Sequence, residues 1–152
     1  MATSWQVKLT NWSTINDQEA IRLIREKVFI EEQAVPVELE WDELDADCLH
    51  CLVSIEDGKP VATARLHNNK SVTHIGRMAV LKPYRQQGVG TLMLETLLEQ
   101  AQLNGVKEVA INAQTTAITF YQRLGFMSVG DEFDDAGIPH YKMTLKLGQN
   151  NE

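Results

Sequence analysis

The feature that most constrains the fold is the run Ile-Gly-Arg-Met-Ala-Val-Leu-Lys-Pro-Tyr-Arg-Gln-Gln-Gly-Val-Gly-Thr, from Ile75 to Thr91. It reads as a strand ended by Pro83, a tight turn, and glycines at the first turn of a long helix. A helix start carries free N–H groups and the positive end of the helix dipole, so this order of elements can receive an anion. Gly88 and Gly90 lack the Cβ atoms that would hold a pyrophosphate away from that backbone. Two familiar phosphate sites do not fit. A dinucleotide fingerprint needs a third glycine three residues after Gly90, where Met93 stands. A P-loop needs Gly-Lys-Ser/Thr, and Gly90 is followed by Thr91 and Leu92. Taken alone, the two glycines fit a plain helix N-terminus about as well as a phosphate turn.

The rest of the chain supplies partners for that unit. Trp5 to Leu9 alternates as a strand, and a helix follows to about Phe29, capped by Asn16 or Asp17, with Ala20, Ile21, Ile24 and Val28 on its apolar stripe. Glu31 to Asp47 is an acidic connection, read as loop with room for a short helix. Strands over Cys48 to Ile55, Pro60 to His67 and Val72 to Leu81 are joined by turns at Asp57-Gly58 and Asn68-Asn69, giving an antiparallel meander. The long helix begins near Gln87 or Gly88 and stops at Asn104-Gly105. A strand over Val106 to Asn112, a helix over Thr116 to Leu124 ended by Gly125, and strands over Phe126 to Val129 and His140 to Leu147 complete the order β-α-β-β-β-α-β-α-β-β. That order predicts an α/β (α+β) domain: a mixed, mostly antiparallel central sheet flanked by helices.

Length and charge narrow the function. At 152 residues, the whole of 1–152 is expected to form one domain with one sizeable core. No apolar run is long enough to span a membrane, and Met1 to Thr14 lacks the layout of a signal peptide, so a cytoplasmic location without membrane contact is expected. The formal charge of −7 gives nucleic-acid binding little electrostatic support. It suits a cationic substrate such as an amine, or simply a solvated acidic surface. Cys48 and Cys51 lie three apart on a strand, on opposite faces, and two further ligands for a metal are not evident. Half-buried cysteines and no metal are expected.

Arg85-Gln86-Gln87-Gly88-Val89-Gly90 resembles the acyl-CoA signature of the GNAT acetyltransferase superfamily, Arg/Gln-x-x-Gly-x-Gly/Ala. Ala117-Ile118-Thr119-Phe120-Tyr121-Gln122-Arg123-Leu124-Gly125-Phe126 resembles that superfamily's second signature, with one helix and one strand between the two. Val28-Phe29-Ile30-Glu31-Glu32-Gln33, Val35-Pro36, Glu40-Trp41-Asp42-Glu43-Leu44-Asp45 and Ala136-Gly137-Ile138-Pro139-His140 are similar to the ElaA-like group within it.

The resemblance implies an enzyme that takes acetyl-CoA as acyl donor and a primary amine as acceptor, by direct attack in a ternary complex. Met78 and Val80 would pair their backbone with the pantetheine amides, and an N–H near Met78 or Ala79 would polarise the thioester carbonyl. Gln86, Gln87, Gly88, Val89, Gly90 and Thr91 would wrap the pyrophosphate, with Arg85, Lys82 and Arg123 as candidates for the remaining charge. Gln114 stands where many relatives carry an asparagine, a departure at a cofactor contact. Tyr121 matches the tyrosine that protonates the leaving thiolate, against the plainer reading of a packed helix tyrosine. The base is sought among Glu31, Glu32, Glu40, Asp42, Asp45 and His140, with Glu32 assigned because it follows the first helix near the acceptor cleft. His50, His67 and His74 are assigned nothing. Two other functions share the expected fold: synthesis of an acyl-homoserine-lactone-type signal, and a non-catalytic acyl-CoA-binding regulatory module. Exposed C-terminal strands leave room for a homodimer.

Overall fold

A computed structural model describes residues 4–69 and 72–148. The element order is the one expected. Strands β1 (Trp5–Thr10), β2 (Leu49–Ile55), β3 (Pro60–Asn69), β4 (Val72–Val80), β5 (Glu108–Gln114), β6 (Met127–Asp135) and β7 (Ile138–Lys146) form one sheet in the order β1-β2-β3-β4-β5-β7-β6. Only β4 and β5 run parallel; every other pairing is antiparallel. Helices α1 (Ile15–Arg25), α2 (Val37–Glu40), α3 (Val89–Leu103) and α4 (Ile118–Arg123) join them. None of the described helices is long and apolar enough to cross a membrane.

Two apolar clusters fix the layers. The larger gathers Val89, Met93, Leu94 and Leu97 of α3 and Tyr121 of α4 against Val109, Ile111 and Met143 of the sheet. The smaller sets Ile21, Ile24, Val28 and Phe29 against Leu52 and Ala79, with Ala136 and Ile138 of the β6–β7 hairpin packed on it. The hairpin tip therefore reaches the end of the first helix and encloses part of the face that α1 leaves uncovered.

Several boundaries differ from the sequence reading, each for a local reason. Thr14 precedes α1, while Asp17 turns inward to accept from Thr10 Oγ1 at 2.6 Å and Lys8 Nζ at 3.0 Å, so it does not cap the helix. Beyond Arg25 the chain continues as a wider π-helical segment to Glu32, past the expected end at Phe29. Asn68 and Asn69 pair with Thr73 and Val72 as strand, so they are not the expected turn, and the two residues that follow lie outside the described residues. The acidic stretch expected as a loop between the last two strands is itself β6, which pairs up to Asp135 opposite Ile138. Its polar residues gave no alternation to read, because β6 is a sheet edge exposed along its whole length. Cys48 and Cys51 are free thiols, and both are fully buried.

Candidate active site

The site begins with a break in sheet pairing. Opposite β3, Gly76 faces Arg65 and Ala79 faces Thr63, so β4 carries one extra residue between those pairs. Arg77 takes up the excess at φ 50°, a left-handed conformation that a side chain normally avoids. Its guanidinium secures the bulge: Nη2 donates to the carbonyls of Leu39 (3.3 Å) and Glu40 (3.2 Å) and to Asp42 Oδ2 (3.3 Å). On the other side, β4 pairs with β5 only over Thr73–Ile75 against Val109–Ile111. Beyond those residues the strands part, and the edge from Met78 to Val80 faces a gap. Leu81 N–H donates to Val61 O on the β3 side. Backbone direction alternates along a strand, so Val80 and Met78 turn their N–H and C=O groups toward the gap, and Ala79 turns away. That edge is not paired with β5, although Val80 O accepts from Arg85 Nε at 2.8 Å. Pantetheine amides would therefore meet mainly the N–H groups of Met78 and Val80 there, a fit that rests on the pairing pattern alone.

The turn after β4 is the one to which the sequence assigns the anion. Lys82–Tyr84 make a 3₁₀ turn, Arg85 is extended, and Gln86 (φ 62°) and Gly88 (φ 86°) are left-handed. Left-handed residues set among ordinary ones curl successive N–H groups toward one side, forming a nest that runs into the start of α3. The two glycines of the motif separate here. Gly88 is required by its φ, and a Cβ on it would meet nothing within 4 Å. A Cβ on Gly90 would sit 3.4 Å from Phe120 Cζ, so its smallness also serves the approach of α3 to α4. Val89 is buried in the larger core and offers only backbone; Thr91 is half-buried; Gln87 Nε2 spans the turn to Pro83 O at 3.1 Å.

Arg85 and Glu32, given separate roles in the sequence, are bound to each other. Arg85 donates through Nη1 and Nη2 to the two Glu32 oxygens at 2.6 and 2.7 Å, and through Nε to Val80 O at 2.8 Å. The pair holds the Glu32 carboxyl below its ordinary pKa and raises that of Arg85. Glu32 thus stands at the turn after β4, outside the cleft lining. Lys82 and Arg123 are exposed.

A cleft of about 510 Å³ lies over the gap, bounded by Phe29 and Val35, by Arg77 and Met78, and by Tyr121 and His140. Tyr121 projects from α4 with its ring edge-on to Phe120 and Phe126, and its hydroxyl donates to Met78 Sδ at 3.4 Å. Burial pushes its phenol up to about 12. Gln114 Nε2 donates to Gln33 Oε1 at 2.8 Å, joining the end of β5 to the end of the first helix. His140 Nδ1 lies 2.7 Å from Ile138 O. A carbonyl only accepts, so Nδ1 carries the proton and the lone pair of neutral His140 is on Nε2. Burial pushes the Cys48 and Cys51 thiols up to about 11 and about 12, which leaves no thiolate to carry an acyl group at neutral pH.

The acidic connection is not a solvated face throughout, and here the sequence reading is corrected. Glu40 and Asp45 are buried. Arg25 donates to Glu40 Oε2 at 2.6 Å and Asp45 Oδ1 at 2.7 Å, and Arg65 donates to Asp42 and Asp45 at 2.8 to 2.9 Å. The arginines hold Asp42 down at about 2 against the upward push of burial, whereas burial wins at Glu40 and raises it. One signal for this network was present in the sequence: Arg25 falls four residues after Ile21, on the apolar stripe of α1.

A model of the acetyltransferase (GNAT) domain family matches residues 12–147. The Bacillus subtilis protein named as an uncharacterized N-acetyltransferase, YjcF, is 39% identical over 121 residues, covering 79% of this chain and 86% of its own. An acyl-CoA N-acyltransferase from Pseudomonas aeruginosa is 29% identical at a TM-score of 0.82, over 95% of this chain and 99% of that one. Escherichia coli ElaA is 28% identical at a TM-score of 0.82, over 94% and 99%.

Proposed function

The chain belongs to the GNAT acetyltransferase family, and from that premise we propose that it transfers acetyl from acetyl-CoA to a primary amine of a small molecule or peptide, by direct attack in a ternary complex. The observation that carries this reading is the contact of the Tyr121 hydroxyl with Met78 Sδ. It sets a proton-bearing oxygen beside the strand edge that turns its N–H groups to the gap.

Bound acetyl-CoA would supply an activated carbonyl and a thiolate leaving group. Met78 and Val80 hold the pantetheine arm through their backbone, and the Met78 N–H polarises the carbonyl as charge develops on it. The turn from Gln86 to Thr91 wraps the pyrophosphate, with exposed Lys82 beside it. Tyr121 Oη keeps its proton through neutral pH and delivers it to the departing sulfur. His140 Nε2 takes the proton of the attacking amine, a role that its free lone pair and its place in the cleft support. Glu32, committed to Arg85, is assigned to the turn and not to base chemistry. We place the reaction in the cytoplasm.

Thiol release from acetyl-CoA across a panel of primary amines tests the reading. Amine-dependent release above the hydrolysis rate is expected. Binding of acetyl-CoA without such release would replace it with a non-catalytic acyl-CoA-binding module.

A further inference from the structure

We propose that the acceptor is an amine bearing a carboxylate about 10 Å from the reacting nitrogen, and that His67 and His74 receive that carboxylate. The position of the reacting nitrogen rests on the acetyl-transfer reading; the anion site does not.

His67 and His74 are directly opposed across β3 and β4 and both line the cleft. Opposed residues hold their Cβ atoms ~5 Å apart, close enough for two imidazoles to hold one carboxylate. Both rings are half-buried, and among the described residues no hydrogen bond from protein ties either of them. Burial pushes the His74 imidazole down, Lys142 and His67 push it the same way, and no carboxylate opposes them. In a chain of net charge −7, this end of the cleft offers imidazole N–H donors with no carboxylate acting on His74.

The opposite end of the cleft carries acid. His140 is level with Gln114, four residues along β5 from Ala110, which is level with His74. Asp135 pairs with Ile138, two residues further in the same direction, so it lies toward Met78 and Tyr121. Arg65 and Arg77 add little net charge, because Glu40, Asp42 and Asp45 neutralise them. The cleft is therefore polarised along its length. An ammonium is favoured near the reacting centre, and an anion is favoured four residues away along a bulged strand. At ~3.3 Å per residue, with some length lost to the bulge, the separation is about 10 Å. Gly76 lies between, and a Cβ there would meet nothing within 4 Å, so the floor is open for an extended molecule.

Triglycine and triglycine amide form a matched pair, since three residues span about 10 Å and only one of the two peptides ends in a carboxylate. Loss of a charge-assisted hydrogen bond corresponds to about tenfold, so triglycine is expected to show a KM about tenfold below that of its amide. In the His67→Gln/His74→Gln double variant that ratio is expected to collapse toward one. A ratio near one in the native protein, or one that persists in the variant, overturns the proposal. If neither peptide is acetylated, the imidazole NMR resonances decide. A shift of the His67 and His74 rings with triglycine and not with the amide retains the anion site while the acetyl-transfer reading fails for this acceptor; no shift overturns the site itself.

Discussion

Tyr121 donates to a thioether, a weak acceptor, so its proton is held mainly by burial and is ready for a better partner. Replacing it with Phe keeps the ring packing and removes only that proton. Tyr121→Phe is expected to lower kcat about a hundredfold with acetyl-CoA affinity unchanged, as measured by steady-state kinetics and calorimetry. Because the phenol is raised to about 12, its neutral form persists until that pH. Native and variant profiles should therefore run parallel on the alkaline side below pH ~11. Parallel profiles with equal kcat would reduce Tyr121 to a packing residue. Glu32 offers the converse case. Its charge occupies the Arg85 fork that a phosphate would otherwise meet. Glu32→Gln is expected to tighten CoA binding several-fold and to leave kcat within about twofold. A large fall in kcat at unchanged CoA affinity would return the base role to Glu32. Nothing in the sequence joined this pair, since 53 residues separate them and each alone matched a different expectation.

At the level of elements, both glycines of the α3 start have a single reason when read from sequence, and the fold gives them two. Gly88→Ala must adopt φ 86° and is expected to cost about 1 kcal/mol. Gly90→Ala gains helix propensity of up to similar size, offset by a contact with Phe120 at 3.4 Å that lies at the tight edge of ordinary packing. Thermal melts should show the first lowered and the second unchanged within a degree or two. The β4 bulge is a second case. Arg77→Gly loses the three acceptors of the guanidinium but relieves the left-handed backbone, whereas Arg77→Ala loses the acceptors and keeps the backbone strain. Glycine is expected to be the more stable by about 1 kcal/mol in melts, and both variants should raise the acceptor KM by loosening the wall at Leu39 and Glu40. Equal stabilities would mean that the bulge is not kept. The order of strands and helices along the chain and the glycine turn before α3 were legible because periodicity, Asp57-Gly58, Asn104-Gly105 and the two signatures are local marks. The parting of β4 from β5, the bulge and the reach of β6 are set by pairing between distant segments, and no local pattern carries them.

Across the whole molecule, a −7 chain for which a polyanionic donor is proposed must arrange its acids so that they do not oppose it. Three acids of the Glu31–Asp47 connection do so by pairing with Arg25, Arg65 and Arg77, which also pins that connection over the sheet as a wall of the cleft. Stability and the acceptor site therefore share one network, and acid should weaken both. The sign follows from Asp42, whose folded-state pKa of about 2 lies below its ordinary value. A depressed carboxylate contributes stability that is complete above pH ~4 and is lost as pH falls toward ~2. Asp17 and Glu32 are depressed as well and add to the loss. Burial raises Glu40, so its contribution has the opposite sign, lost as pH rises, and it offsets part of the acid loss. Asp42→Asn keeps an oxygen for the Leu44 N–H, which donates to Asp42 Oδ1 at 3.1 Å, and removes only the charge met by Arg65 and Arg77. The variant should therefore melt below the native protein at pH 6, and most of the gap should close as both are taken to pH ~2, where native Asp42 is itself about half protonated. Melting curves at half-unit pH steps read this directly. A gap that stays constant to pH 2 would place the contribution of Asp42 in its shape and hydrogen bonds, with no share for its charge.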